Sequence, residues 1–179
     1  LEAAVEEAEC DRIMLLPAKM SPFKLEQKIA DEKHRIAMVS CVAAEYENVE
    51  VSTLEIDGPE VSYTYETMKK IQEKRPEDDL HFIMGSDSLL TLESWYMGEE
   101  LLRDFSFILA PRPGYDSTKT KEKKNAVKKK YGTEIRVLHN KLRDISSTEI
   151  KETIKAGKEI GHLVPTKVAE YIHEHGLYL

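Results

Sequence analysis

The chain has 179 residues, of which 41% are hydrophobic and 33% charged, with a net charge of −7 at pH 7. That length allows one domain with a sizeable core, and the acidic balance argues against a general nucleic-acid binder, which needs a basic footprint. Two cysteines, Cys10 and Cys41, form no disulfide framework or zinc pattern, and no apolar run or signal peptide suggests a membrane or export route, so a cytoplasmic protein is expected.

In chain order, LEAAVEEAEC (1–10) reads as an Ala/Glu-rich helix and DRIMLLP (11–17) as a buried strand ended by Pro17. MSPFKLEQKIA (20–30) is a loop leading into a helix. DEKHRIAMVSCVAAEY (31–46) is helical by the spacing of Ile36, Val39 and Val42. VEVSTLEID (49–57) alternates as a strand, with Val49, Val51 and Thr53 on one face. SYTYETMKKIQEKRP (62–76) is a helix closed by Pro76, and LHFIMGSD (80–87) a short strand running into Gly-Ser-Asp. SLLTLESW (88–95) and GEELLRD (98–104) are helical fragments, and FSFILAPRPG (105–114) is another buried strand. KTKEKKNAVKKK (119–130) reads as a solvated helix face or loop, or else as a weak attractor of polyanions. EIRVLHN (134–140) is the fifth strand. Two closing helices follow, ended by Gly157 and Gly176, with Pro165 suited to the first turn of the second. Strands alternating with helices, and strands that are short and wholly apolar, predict an α/β fold with a parallel sheet covered on both faces.

In such a sheet ligands collect at the carboxyl ends of the strands. GSDS (85–88) ends one strand: Gly85 admits a ligand to the backbone, and Asp87 can accept from ribose hydroxyls, although the same tripeptide makes an ordinary strand-to-helix turn. Arg112, in RPG, can reach a carboxylate or phosphate, or form a surface ion pair. RDISSTEIK (143–151) places hydroxyls at a helix start, where they can cap the helix or hold an anion. Trp95, beside Tyr96, is either core or a stacking surface for a flat ring. His34 reads as a satisfied buried histidine with Arg35 as an ion-pair partner, Thr64 and Thr67 as capping hydroxyls, and Tyr63 and Tyr65 as packing. His173 and His175 are expected to face solvent. With no nucleophile set or metal-ligand cluster, an enzyme built this way works by positioning and electrostatics.

SPFK, HR..M, SYTYET, FIMGSDSL, the tryptophan, RPG, ISSTEI and VP..V..YI..HGLY occur in the order found in bacterial nicotinate-nucleotide adenylyltransferases, and the chain resembles that family along essentially its whole length. The resemblance implies a single domain, residues 1–179, with the doubly wound, Rossmann-like nucleotidyltransferase fold. It implies adenylyl transfer from ATP, with magnesium, to nicotinate mononucleotide, giving deamido-NAD and pyrophosphate in NAD synthesis. By resemblance Gly85, Ser86 and Asp87 serve the adenosine side, and Ile145, Ser146, Ser147, Thr148 and Lys151 the ATP phosphates. Thr64, Trp95 and Tyr96 frame the nicotinate ring, and Lys24 and Arg112 serve the mononucleotide.

Three departures stand out. Lys151 replaces the family's arginine after ISSTxI, Phe23 replaces a histidine of PPHK, and the strand and glycine-rich GxFxPxHxGH turn that open the family are absent. That strand is expected between RIMLL and HFIMG. No catalytic residue is therefore assigned in this chain, and a polypeptide beginning at Leu1 is expected to be poorly soluble or inactive. Other readings are a catalytically silent nucleotide-binding module and an adenylyltransferase for another phosphate-bearing acceptor such as phosphopantetheine. The sequence leaves a homo-oligomer open.

Overall fold

The computed structural model describes residues 1–20, 22, 29–111, 117–139 and 145–179. They form two compact units, one of residues 1–10 and 63–144, the other of residues 11–62 and 145–179.

The first unit is organised by a three-stranded parallel sheet in the order β3 (His81–Gly85), β4 (Ser106–Ala110), β5 (Ile135–Val137). β4 lies in the middle, and Phe107, Ile108 and Leu109 are almost wholly buried. This is why FSFILA reads as an unbroken apolar run, since a strand covered on both faces has no solvent face to mark with polar residues. The register pairs His81 with Ser106 and Gly85 with Ala110, so β3 and β4 end level with one another. Crossovers run through α4 (Ser86–Thr91), a 3-10 turn (Leu92–Ser94), α5 (Gly98–Asp104) and α6 (Ser117–Tyr131). α3 (Thr64–Lys74) packs Met68 into the same core as Leu89, Leu92, Leu101 and Leu102. α1 (Glu2–Glu7) is tied to the end of β5, where the His139 N–H donates to both oxygens of Glu7, at 2.7 and 2.8 Å.

The second unit holds the parallel pair β1 (Ile13–Leu15) and β2 (Val49–Val51), joined by α2 (Glu32–Ala43). β2 is shorter than its alternation predicts. Thr53 leaves the strand, and its hydroxyl donates to Asp57 at 2.6 Å in the turn that follows. Ile154 of α7 (Ser147–Lys155) meets Val168 and Ile172 of α8 (Thr166–Glu174) in a core of its own. Gly157 and Gly176 follow these helices at φ +67° and +55°, the left-handed cap that glycine adopts without a Cβ penalty. Pro165 occupies the N-cap position of α8 rather than its first turn.

Arg35 differs from expectation. Its guanidinium donates to the carbonyls of Ala18, Lys19 and Ala30 and pairs with no carboxylate among the described residues, so it ties backbone segments together. His34 is half-buried and satisfied as expected, its Nδ1 lying 3.0 Å from the Tyr171 hydroxyl. No helix among the described residues is long and apolar enough to cross a membrane.

Gly98 starts α5 where a Cβ would lie 2.1 Å from the Leu92 carbonyl oxygen, a backbone atom that cannot swing away. Gly98→Ala is therefore expected to lower unfolding free energy by about 2 kcal/mol or more. Urea denaturation tests this, and an unchanged midpoint would show that the turn relaxes freely.

Candidate functional site

At the carboxyl edge of the three-stranded sheet, β3 passes into α4. Gly85 is the N-cap of α4 in extended conformation, with Ser86 and Asp87 as the first helical residues. The chain thus turns from strand to helix without a spacer. Asp87 is half-buried, and the Ser86 side chain is buried, with no hydrogen-bond partner for its hydroxyl among the described residues. Of the three residues expected to meet adenosine, Ser86 is the one whose side chain turns inward. Arg112 and Lys24 lie outside the described residues.

A second feature of the same unit is aromatic. Trp95 is half-buried, packs against the core, and meets Phe82 of β3 edge to face with ring centres 6.2 Å apart. Its indole N–H donates to the Thr91 hydroxyl at 3.3 Å. These contacts agree with the core alternative. Tyr96 is 51% exposed, and its ring lies 4.5 Å from that of Tyr63, itself 36% exposed. Tyr63 is thus not buried packing. It is the N-cap residue of α3, directly before Thr64, and its contact with Tyr96 brings the two segments SYTYET and SWY together. Sequence reading missed Tyr63 because nothing local separates a packing tyrosine from an exposed one. Tyr65 does pack, edge to face with Phe105, and its hydroxyl donates to Asp104 at 3.0 Å. Two exposed phenol rings in contact with one another, Tyr96 following the half-buried Trp95 in the chain, offer aromatic faces suited to a flat heteroaromatic group.

The turn carrying Trp95 and Tyr96 is held from outside. Glu93 accepts from Lys123, from Lys130 at 3.0 Å and from the Tyr131 hydroxyl at 2.6 Å, all three on α6. These donors, Lys123 foremost and Tyr131 and Lys130 after it, hold the Glu93 carboxyl down at about 2. Lys130 also donates to Glu99 at 3.3 Å, which Arg103 contacts at 2.8 Å. The lysine-rich segment is accordingly a helix, largely solvated as expected, but with two lysines engaged in the core unit.

In the second unit Ser146 is the N-cap of α7, its Oγ accepting from the Glu149 N–H at 3.1 Å. Helix geometry leaves the N–H groups of Ser147 and Thr148 outside the intrahelical ladder, at the positive end of the helix dipole. Ser147 and Thr148 are exposed and Ile145 half-buried. Lys151 points its ammonium over the Tyr178 ring at 5.5 Å. His173 and His175 are exposed, and His175 stacks on Tyr171 with ring centres 4.0 Å apart. No group of three or more His, Cys, Asp or Glu among the described residues could hold a metal.

A parallel sheet whose strand β3 turns at a glycine directly into a helix, and a capped helix start offering N–H groups, are the parts of an α/β nucleotide-binding protein. A family model described as cytidylyltransferase-like matches residues 1–153. A probable nicotinate-nucleotide adenylyltransferase of Thermoanaerobacter sp. (strain X514) is 35% identical over 178 residues, 99% of this chain and 84% of that protein. Another, of Clostridium botulinum (strain Kyoto / Type A2), is 34% identical over 176 residues, 98% of this chain and 88% of its own. Among solved structures, Plasmodium falciparum nicotinic acid mononucleotide adenylyltransferase complexed with NaAD superposes with a TM-score of 0.76. That likeness, at 18% identity, covers 98% of this chain and 87% of that one. The chain belongs to the cytidylyltransferase-like family and, within it, to the nicotinate-nucleotide adenylyltransferases. Its fold is the doubly wound, Rossmann-like α/β fold of the nucleotidyltransferases.

Two outcomes are expected here. Because the folded Glu93 carboxyl lies below its ordinary value of 4.5, its contribution to stability is complete above that pH and is lost as pH falls toward about 2. The stability gap between the native protein and Glu93→Gln should therefore be widest near neutrality and close over that interval in urea titrations. A gap that does not vary with pH would show that Glu93 is not held ionised. Ser146→Ala should cost about 1 kcal/mol of folding free energy through the lost cap, read as a lower thermal midpoint.

Proposed function

We propose that the protein joins ATP to nicotinate mononucleotide, releasing pyrophosphate and forming deamido-NAD, and that it acts in the cytoplasm. The observation that supports this most is the contact of exposed Tyr63 with exposed Tyr96, which brings the segments of Thr64 and Trp95 together, in a chain whose relatives are named for this reaction. A nicotinate ring is flat and, as a mononucleotide, cationic, so aromatic faces attract it. The Thr64 hydroxyl can donate to its carboxylate, while Lys24 and Arg112 supply charge for the carboxylate or phosphate of the mononucleotide.

On the ATP side, Gly85 lets adenosine approach the backbone, and Asp87 accepts from ribose hydroxyls. Ile145, Ser146, Ser147 and Thr148 present the α7 N-terminus to the phosphates, with Lys151 as a nearby cation. The cap and the anion site would then use neighbouring groups of one helix start. Reaction consists of bringing the mononucleotide phosphate in line with the α-phosphate of ATP, so positioning and fixed donors account for the rate. Magnesium would enter as the partner of the ATP phosphates. The described residues offer no cluster to cage it.

We propose further that both compact units belong to one nucleotidyltransferase domain, since the relatives match 98–99% of the chain and so span both. A single cooperative unfolding transition by two probes is expected, and two separate transitions would refute it.

Pyrophosphate release from ATP with nicotinate mononucleotide tests the function. Release with phosphopantetheine instead would overturn it. Trp95→Ala should raise the KM for the mononucleotide roughly tenfold, as loss of ring stacking on this scale implies, and leave that for ATP unchanged. Replacing Ser146, Ser147 and Thr148 together by Ala should weaken ATP binding by more than it lowers stability. Normal ATP binding in that variant would leave only the capping role.

A further inference from the structure

The residues around the Trp95–Tyr96 turn do more than pack it. The turn leaves the 3-10 segment through a bond from the Trp95 N–H to the Leu92 carbonyl at 3.1 Å. It enters α5 through Met97, a non-glycine residue in the left-handed region at φ +50°. A bond from the Gly98 N–H to the Trp95 carbonyl at 2.9 Å closes it. Such backbone is costly for methionine and persists only where its surroundings hold it. Lys130 of α6 spans the turn, reaching Glu93 on the upstream side at 3.0 Å and Glu99 on the downstream side at 3.3 Å. Lys123 and Tyr131 close on Glu93 from the same helix. Glu93 and Lys123 are only 31% and 23% exposed, so this pair is screened less by solvent than an ordinary surface ion pair.

We propose that α6 is a clamp that positions the acceptor-binding turn: Glu93, fixed by Lys123, Lys130 and Tyr131, preorganises Trp95 and Tyr96 for the nicotinate ring. This rests on the assignment of that ring to Trp95 and Tyr96. These residues touch no substrate; they act by sparing the turn the entropy of becoming ordered when the mononucleotide arrives. The spacing supports the design, because 123 and 130 fall about two turns apart on one helix face, with 131 next to 130. A lysine-rich helix thereby has two functions, solvation on one side and a triple grip on a single carboxylate on the other.

Trp95 is the only tryptophan in the chain, so its fluorescence reports on the turn directly. The test compares the native protein with Glu93→Gln, Lys123→Met and Lys130→Met, using acrylamide quenching of Trp95, KM for nicotinate mononucleotide and KM for ATP. Release of the clamp is expected to increase quenching and to raise the KM for the mononucleotide roughly tenfold, the scale of one lost charge-assisted hydrogen bond, with the KM for ATP unchanged. Lys123→Arg should restore native values. Should Glu93→Gln fail to fold, the two lysine variants, each leaving one cation on Glu93, decide the matter. Unchanged quenching and KM in folded variants, while Trp95→Ala still raises the KM, would overturn the clamp and leave the ring assignment standing. If Trp95→Ala itself leaves the KM unchanged, the ring assignment fails instead. Equal increases in both KM values would point to general loosening of the unit and would also overturn the proposal.

Discussion

Hydrogen bonding on both sides of β4 is the constraint on which the first unit depends. A parallel strand with neighbours on each edge has every backbone group committed, and its side chains must then be apolar on both faces. Phe107, Ile108 and Leu109 meet that demand. Because Gly85 pairs with Ala110 at the end of the ladder, the turn after β3 emerges at a fixed point of the sheet. The Gly-Ser-Asp turn and the core contact of Trp95 with Phe82 both inherit their position from this register. Shifting the ladder by one residue would turn Phe82 to the opposite face and remove the support beneath the indole.

The aromatic turn shows how a sequence tolerates an unfavourable local conformation. Left-handed Met97, the tight approach of Gly98 to the Leu92 carbonyl, and the buried Leu92 are mutually dependent: the leucine anchors the turn in the core, and the glycine lets the next helix start against it. Charge from a distant helix then holds the two legs. The network joins Glu93 and Glu99 to Lys123, Lys130, Tyr131 and Arg103, with the Arg103 and Lys130 cations also over the Tyr131 ring at 5.2 and 4.7 Å. One carboxylate with three donors is worth more than three separate surface pairs, because the side-chain entropy of Glu93 is lost once rather than three times.

The α7 start illustrates a different economy. Capping and anion binding are often treated as rival explanations of a Ser-Ser-Thr sequence, yet both draw on the same deficit of partners at a helix N-terminus. The Ser146 hydroxyl satisfies the Glu149 N–H, the third of the helix, and the two earlier N–H groups lie outside the intrahelical ladder. Lys151, over the Tyr178 ring, keeps the charge of the arginine it replaces but lacks the planar fork with which a guanidinium grips a phosphate.

Much of this was legible in the sequence. Alternating apolar strands and capped helices identified the α/β class, Gly157 and Gly176 marked helix ends, and the order of the short motifs indicated the family. The Gly-Ser-Asp turn and the Ser146 cap were readable because they depend on residues within three or four positions of one another. What only the tertiary structure decided involves partners far apart in the chain: Tyr63 against Tyr96, Arg35 on three carbonyls, and α6 lysines on Glu93. A lysine in a run of lysines carries no local mark of which carboxylate it will meet. That choice is made by the packing of α6 beside the turn, since charge attraction acts through space and not along the sequence.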